Sequence, residues 1–463
     1  MNESAVVRFR ACLVFTFLLG VLGALAGRLF WVQVVEHETH LAASRSQHIE
    51  SEKELAPRGD LLDRHGRPLA TSRLLPSVAV DPEHLRDRAE AAALLAAALG
   101  VEPEPLARRL ATPGCRFAWV RRGVDDPEAI ARVRSLDLRR RPESKREAVE
   151  DPLIVRYEMG RCYPTGPLAS QVLGFVGIDG TGLEGLERVL EKELHGVDGE
   201  RKVFRDALGK PIAVPGADSV PAVAGRPVRL TIDAVIQGFA EDALRATCEK
   251  HTPKGGVCIV LDSRTGEALA LASWPTFDPA RPGSSSAESR RARYVTDMFE
   301  PGSTFKPLVA AAALECGAVS AGERIDCGMG SIKIGSRTIH EHEDHKFGRI
   351  GIDTILAVSS NCGMARIGVK VGIPRMQAAF AAFGFGRPTG LGLPGEVGGR
   401  LTAPAKWTVP YTLVSVSFGQ EIAVTPMQLA AAYLPVAGDG TLPRPRLLMP
   451  EPTAATPGDP QAP

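Results

Sequence analysis

Between Ala11 and Val35 the chain carries a single charged residue, Arg28. A segment so long and apolar has three destinations: a helix crossing a bilayer core of about 30 Å, a signal peptide, or a core helix. Arg8 and Arg10 precede an uncharged stretch from Ala11 to Gly27, and Leu29-Phe30-Trp31-Val32 resumes it before Glu36 and Glu38. Arg28 lies near one end, where a long side chain can snorkel to the interface, and Trp31 suits the interfacial belt. Ala24-Leu25-Ala26 also fits a signal-peptidase site, but the length and flanks favour an uncleaved anchor over residues 11–35. The arginines on its short side put residues 1–10 in the cytoplasm and the bulk of the chain outside.

A chain of 463 residues suits two or three domains with a large core. Its net charge of +1 gives no reason to expect a nucleic-acid partner. The eight cysteines contain no Cys-x-x-Cys pair, so a zinc or thioredoxin-type site has no support. They read mostly as small buried residues, with Cys316 and Cys327 close enough in sequence to bridge.

After the anchor, residues 39–56 read as a polar helix or stalk. Pro57 to Ala70 then reads as strand, tight turn at Asp63-Arg64-His65-Gly66, and strand. An Ala/Leu-rich helix over 81–100 closes at Gly100, residues 101–110 add another, and Phe117 to Arg122 looks like a strand. Residues 216–227, rich in Ala, Val, Pro and Gly, mark a linker. Beyond it Val228 to Asp233 opens a second domain, followed by a helix from Ala234 to about Lys250. Gly256 to Asp262 and Ala268 to Ser273 form a hairpin of two continuous apolar strands, which suits the middle of a covered sheet.

Asp297 to Gly317 is the stretch that carries chemistry. The chain breaks at Pro301-Gly302 and enters a helix at Ser303 that stops near Gly317. Pro307 sits in the first turn, where a missing N–H costs little. Ser303 and Lys306 are three apart, so on a helix their side chains can meet. A buried lysine with a lowered pKa can take a serine's proton, and the helix N-terminus favours a developing oxyanion. Alone, the spacing is more simply a helix cap followed by a surface lysine.

The wider context decides between these readings. Glu300-Pro-Gly-Ser-Thr-Phe-Lys-Pro307 resembles, residue for residue, the active-serine segment of class B penicillin-binding proteins. Arg58-Gly59-Asp60-Leu61-Leu62-Asp63-Arg64 through Leu69-Ala70 is similar to the opening motif of that family's pedestal. Arg161-Cys162-Tyr163-Pro164, Gln171 to Gly177 and Gly182-Leu-Glu-Gly-Leu-Glu187 match it further. Ser359-Ser360-Asn361 matches the family's second motif. Phe383 to Glu396 and Ser417-Phe-Gly-Gln420 match its later segments, the last leaning toward the division or sporulation branch.

The resemblance implies an α/β (α+β) multidomain chain. A transmembrane helix would be followed by a β-rich pedestal over 36–215 and a β-lactamase-like transpeptidase domain from 228, with helices around an antiparallel sheet. It implies a membrane-anchored D,D-transpeptidase that cross-links peptidoglycan stem peptides and is trapped by β-lactam antibiotics. Ser303 would be the nucleophile and Lys306 its base. Ser359 would relay a proton to the leaving amine, and Asn361 would hold substrate and steady Lys306. The pedestal would dock division or glycosyltransferase membrane proteins. No cofactor is implied. The run His340-Glu341-His342-Glu343-Asp344-His345 contains metal-ligand types, but the family has a polar loop there and no metal is expected.

In that family a Lys-Thr-Gly or Lys-Ser-Gly tripeptide follows on a central strand, and none follows Ser359 here. The transpeptidase domain over 228–442 is therefore expected to be C-terminally incomplete, leaving the hairpin short of strand partners. Residues 443–463 read by composition as a disordered tail. The alternative is a non-catalytic or truncated homologue acting as a divisome scaffold.

Overall fold

The computed structural model describes residues 3–38, 49–140, 151–205, 211–213 and 220–450. Two compact units emerge, one made of residues 1–56 and 197–223, the other of 57–196 and 224–463.

In the first unit, helix α1 (Glu3–Phe30) continues into a π-helical turn, Trp31–Val35. The 27 residues Phe9–Val35 are long and apolar enough to cross a membrane. Arg28 sits near the end of that span and pairs with Glu36 at 3.6 Å. The same unit holds a three-stranded antiparallel sheet in which Gly199–Arg205 is flanked by Ile49–Glu54 and Pro211–Ala213. Of the polar helix or stalk expected over 39–56, residues 49–54 form a strand rather than a helix, while residues 39–48 lie outside the described residues.

The second unit opens with β1 (Leu61–Leu62) and β2 (Pro68–Val80), joined through Asp63-Arg64-His65-Gly66. The Asp63 carboxylate accepts the backbone N–H groups of His65 and Arg67, both at 2.8 Å, and Gly66 takes φ +84°. That local bonding closes the turn. Helices α2 (Arg88–Leu99) and α3 (Pro103–Leu110), strand β3 (Ala118–Arg121), helix α4 (Pro127–Arg134) and strand β4 (Leu153–Cys162) follow. Asp87 caps α2 by accepting from Ala89 and Glu90, and Gly100 ends it in the left-handed region. Strand β2 is central: β4 pairs with it over ten residues, while β3 and β1 pair at its ends. The helices bury Leu95, Leu99, Leu106, Leu110, Ile130 and Val133 beside Val78 and Val80.

Strand β5 (Val228–Arg229) pairs in parallel with β1, and helix α5 (Ala234–His251) follows it. Strands β6 (Gly256–Leu261) and β7 (Ala268–Trp274) form the expected hairpin. Among the described residues this is a two-stranded sheet, so it is not the middle of a covered one: β6 is half-buried along its whole length, whereas β7 is buried. The stretch read as a disordered tail from Pro443 is ordered as far as Pro450. Thr231 donates to the Leu447 carbonyl and Ala268 to that of Arg446, at 2.8 and 3.0 Å, while Leu447 is 2% exposed. Burying Leu447 and satisfying both strand edges outweighs the polar composition around it.

One apolar cluster joins Leu61, Leu69, Leu173 and Leu190 to Leu230, Leu271, Leu393 and Leu447. A second surrounds helices α6 (Lys306–Glu315) and α7 (Asn361–Val371). There Phe305 meets Phe380 and Phe385, both at ring-centroid distances of 5.1 Å, within the range of favourable edge or tilted contacts. Between α6 and α7 lies a small hairpin, β8 (Ser331–Ile334) with β9 (Arg337–His340). All eight cysteines are free, including Cys316 and Cys327.

Candidate active site

The α-helix that follows Pro301-Gly302 begins at Lys306, three residues later than the sequence suggests. Gly302–Phe305 is a 3₁₀ turn, tighter than α, and Ser303 stands exposed on it. The turn is held from outside. Gly302 donates its N–H to the Gly419 carbonyl at 2.9 Å, Phe299 and Val424 exchange backbone bonds at 3.0 Å, and Tyr433 Oη donates to the Thr304 carbonyl at 2.5 Å. Phe305, fully buried in the aromatic cluster, anchors its far end.

Gly419 is needed there for two reasons. Its φ is +79°, and a Cβ would lie 2.0 Å from the Gly302 carbonyl oxygen. Gly419→Ala is expected to lower stability by about 1–3 kcal/mol. It should also slow covalent labelling of Ser303 by pushing the turn outward, read out by thermal melting and a labelling time course.

Lys306 leaves the same turn but points inward and is 2% exposed. Its Nζ donates to the Ser359 carbonyl at 2.6 Å, to Ser359 Oγ at 2.9 Å and to Asn361 Oδ1 at 2.9 Å. Ser359 Oγ in turn bonds Ser303 Oγ at 3.0 Å. Lysine and nucleophile, which the helical spacing was expected to bring into contact, are thus linked through Ser359. Burial pushes the Lys306 ammonium down to about 8, against the opposing pull of Glu341.

The second motif owes its shape to local capping. Helix Ile352–Ala357 ends, Ser359 turns into the left-handed region at φ +56°, and Ser360 caps α7 by accepting the Gly363 N–H at 2.9 Å. The αL residue aims Ser359 Oγ and its own carbonyl at one point, where Lys306 arrives. All four residues singled out from the sequence, Ser303, Lys306, Ser359 and Asn361, therefore meet in one hydrogen-bonded chain.

Sequence reasoning missed Glu341. It lies 9% exposed just after β9, accepting from Ser360 Oγ at 2.5 Å and from the Asn361 N–H at 2.7 Å. A signal was present in the run His340 to His345, but nothing local marks which of six polar residues turns inward. Among the described residues, no group of three His, Cys, Asp or Glu side chains converges as a metal site.

The arrangement suits acyl transfer. A neutral Lys306 can draw a proton from Ser303 through Ser359, and the exposed serine is free to attack a carbonyl carbon.

Comparison with known proteins agrees along most of the chain. Residues 256–459 match the penicillin binding protein transpeptidase domain and residues 53–230 the penicillin-binding protein dimerisation domain. The chain is 36% identical over 392 residues to a probable peptidoglycan D,D-transpeptidase, PenA, of Neisseria meningitidis, an alignment covering 84% of this chain and 64% of PenA. It thus spans slightly under two thirds of that relative's length. With the probable D,D-transpeptidase PbpC of Pseudomonas aeruginosa it shares 32% identity, covering 94% of this chain and 74% of PbpC. The crystal structure of penicillin-binding protein 3 of Mycobacterium tuberculosis in complex with aztreonam superposes with a TM-score of 0.61 at 26% identity, covering 86% of this chain and 67% of that one. Both matched domains, the relatives and the solved fold place the molecule in one family: the chain belongs to the class B penicillin-binding proteins.

Proposed function

We propose that this chain is a membrane-anchored peptidoglycan D,D-transpeptidase acting in cell-wall synthesis at division. The observation that carries the proposal is the chain from Lys306 Nζ through Ser359 Oγ to Ser303 Oγ, with steps of 2.9 and 3.0 Å. Ser303 Oγ attacks the carbonyl carbon of the penultimate D-Ala of a stem peptide while its proton passes through Ser359 to Lys306. The tetrahedral intermediate collapses, the C–N bond to the terminal D-Ala breaks, and Lys306 returns the proton through Ser359 to the departing amine. A neighbouring strand's amine then attacks the Ser303 ester, and the serine is released reprotonated. Asn361 steadies Lys306 and holds the substrate backbone. β-Lactams acylate the same oxygen. None of these steps calls on a metal or organic cofactor.

The apolar span Phe9–Val35, with Arg8 just before it and Arg10 in its first turn, supports an N-terminus in the cytoplasm with the catalytic unit outside. Division or glycosyltransferase membrane proteins would dock on the pedestal.

The test is covalent labelling of the detergent-solubilised full chain with a fluorescent penicillin, the adduct then mapped by proteolysis and mass spectrometry. Label on Ser303 is the expected result. A folded, monodisperse chain that takes up no label sinks the enzyme reading and leaves the scaffold role.

A further inference from the structure

Beneath the Ser359–Asn361 turn lies a carboxylate that the reaction does not consume. Glu341 projects from the end of β9, its own N–H bonded to the Gly330 carbonyl at 2.9 Å, so the β8–β9 hairpin fixes its backbone. Its two oxygens divide two donors between them. Oε1 takes the Ser360 hydroxyl at 2.5 Å, and Oε2 takes the Asn361 backbone N–H at 2.7 Å. Ser360 Oγ accepts the Gly363 N–H at 2.9 Å, so Glu341, Ser360 and the first turn of α7 form one linked set of bonds. The residue this set flanks is Ser359, held at φ +56°, a conformation that a β-carbon disfavours and that persists only when neighbours enforce it.

We propose that Glu341 is a positioning residue for acylation: by holding Ser360 and Asn361 from below, its carboxylate fixes where Ser359 Oγ and Asn361 Oδ1 meet Lys306. The proposal rests on the serine-acylation reading above and adds a residue to it.

The charge of Glu341 matters as well as its shape. Lys306 is otherwise pushed toward its neutral form by burial, and Glu341 is the charged group that opposes this. Two thiols also feel the carboxylate. Cys362 and Cys327 are both fully buried, and burial raises both, Cys362 to about 12. Asp326 and Arg366 act on Cys327. Both thiols are therefore held toward their neutral form.

The experiment measures acylation by fluorescent penicillin from pH 6 to 10 for the full chain, Glu341→Gln and Glu341→Asp. In parallel, the Lys306 side chain is titrated by NMR, its resonance assigned as the one lost in Lys306→Ala. Glu341→Gln keeps the shape and loses the charge. Its rate should rise at a pH lower by roughly one unit, with Lys306 titrating lower by the same amount, and its plateau should fall about tenfold. Glu341→Asp keeps the charge, so its pH profile should stay in place while its plateau falls less. Wild-type positions for both the pH limb and the Lys306 titration in Glu341→Gln overturn the proposal, whatever the melting temperature. If Glu341→Gln does not fold, Ser360→Ala decides, since it removes one of the two held donors. It should acylate more slowly without moving the pH limb, and a wild-type rate overturns the proposal. A chain that takes up no penicillin refutes the enzyme reading, and the Lys306 titration alone then decides the role of Glu341.

Discussion

Lys306→Ala is expected to slow acylation of Ser303 by about a thousandfold, as loss of a general base commonly does. The substitution removes the proton acceptor and the hub that draws Ser359 and Asn361 together. Lys306→Arg separates these roles. A guanidinium keeps a charge and donors at the hub but stays protonated at any working pH, so it should be nearly as slow as alanine. Stopped-flow labelling at fixed penicillin concentration measures both, and an arginine variant within tenfold of wild type would remove Lys306 from the role of base.

The pH dependence carries the same signature. With Lys306 held near 8, the acylation rate should climb through about pH 8 as the ammonium loses its proton. Stability moves in the same direction. The folded-state pKa lies below the ordinary lysine value of 10.5, so between about 8 and 10.5 the unfolded chain binds more protons and stability rises with pH. Below pH 8 the full cost of burying the ammonium remains. The fold tolerates that cost at the position where a neutral amine is useful.

The nucleophile, the lysine and the Ser359–Asn361 element were legible because each is a short string whose chemistry depends on spacing within a turn. Their partnership was legible only through resemblance to the family, since 53 residues separate Lys306 from Ser359. Glu341 was not legible. In a run of six polar residues, periodicity cannot show which one faces inward, and the partners that decide it, Ser360 and Asn361, lie 19 and 20 residues further on. Ile-Glu-Ser-Glu-Lys-Glu at 49–54 likewise lacks the alternation that marks a strand, and its register is set by Gly199–Arg205, some 150 residues on. Pro443 to Pro450 was misread for a related reason. Prolines and arginines dominate its composition, whereas its order depends on Leu447 and on backbone partners at Thr231 and Ala268.

Glu187→Ala is expected to destabilise the second unit by roughly 3–5 kcal/mol, the usual cost of leaving a buried charge without its partner. Glu187 is fully buried, in the short helix Gly185–Val189. Its Oε2 meets Arg58 Nε at 2.6 Å and its Oε1 meets Arg161 Nε at 2.7 Å, with the Arg161 side chain only 2% exposed. The carboxylate therefore ties together the start of β1, the end of β4 and this helix, three segments more than a hundred residues apart at the extremes. Alanine would leave Arg161 buried with the Gly59 carbonyl at 2.9 Å as its remaining strong acceptor. Arg58 would fare better, because Glu191 also meets it, at 2.7 Å, and is partly exposed. Arg161→Met should cost less than Glu187→Ala, since it leaves Glu187 still paired with Arg58. Urea denaturation of the three proteins measures the order. If Glu187→Ala unfolds at the wild-type urea concentration, the ion cluster is no more than neutral filling. The apolar cluster of Leu61, Leu69, Leu173 and Leu190 would then be what holds β1, β4 and the 185–189 helix together.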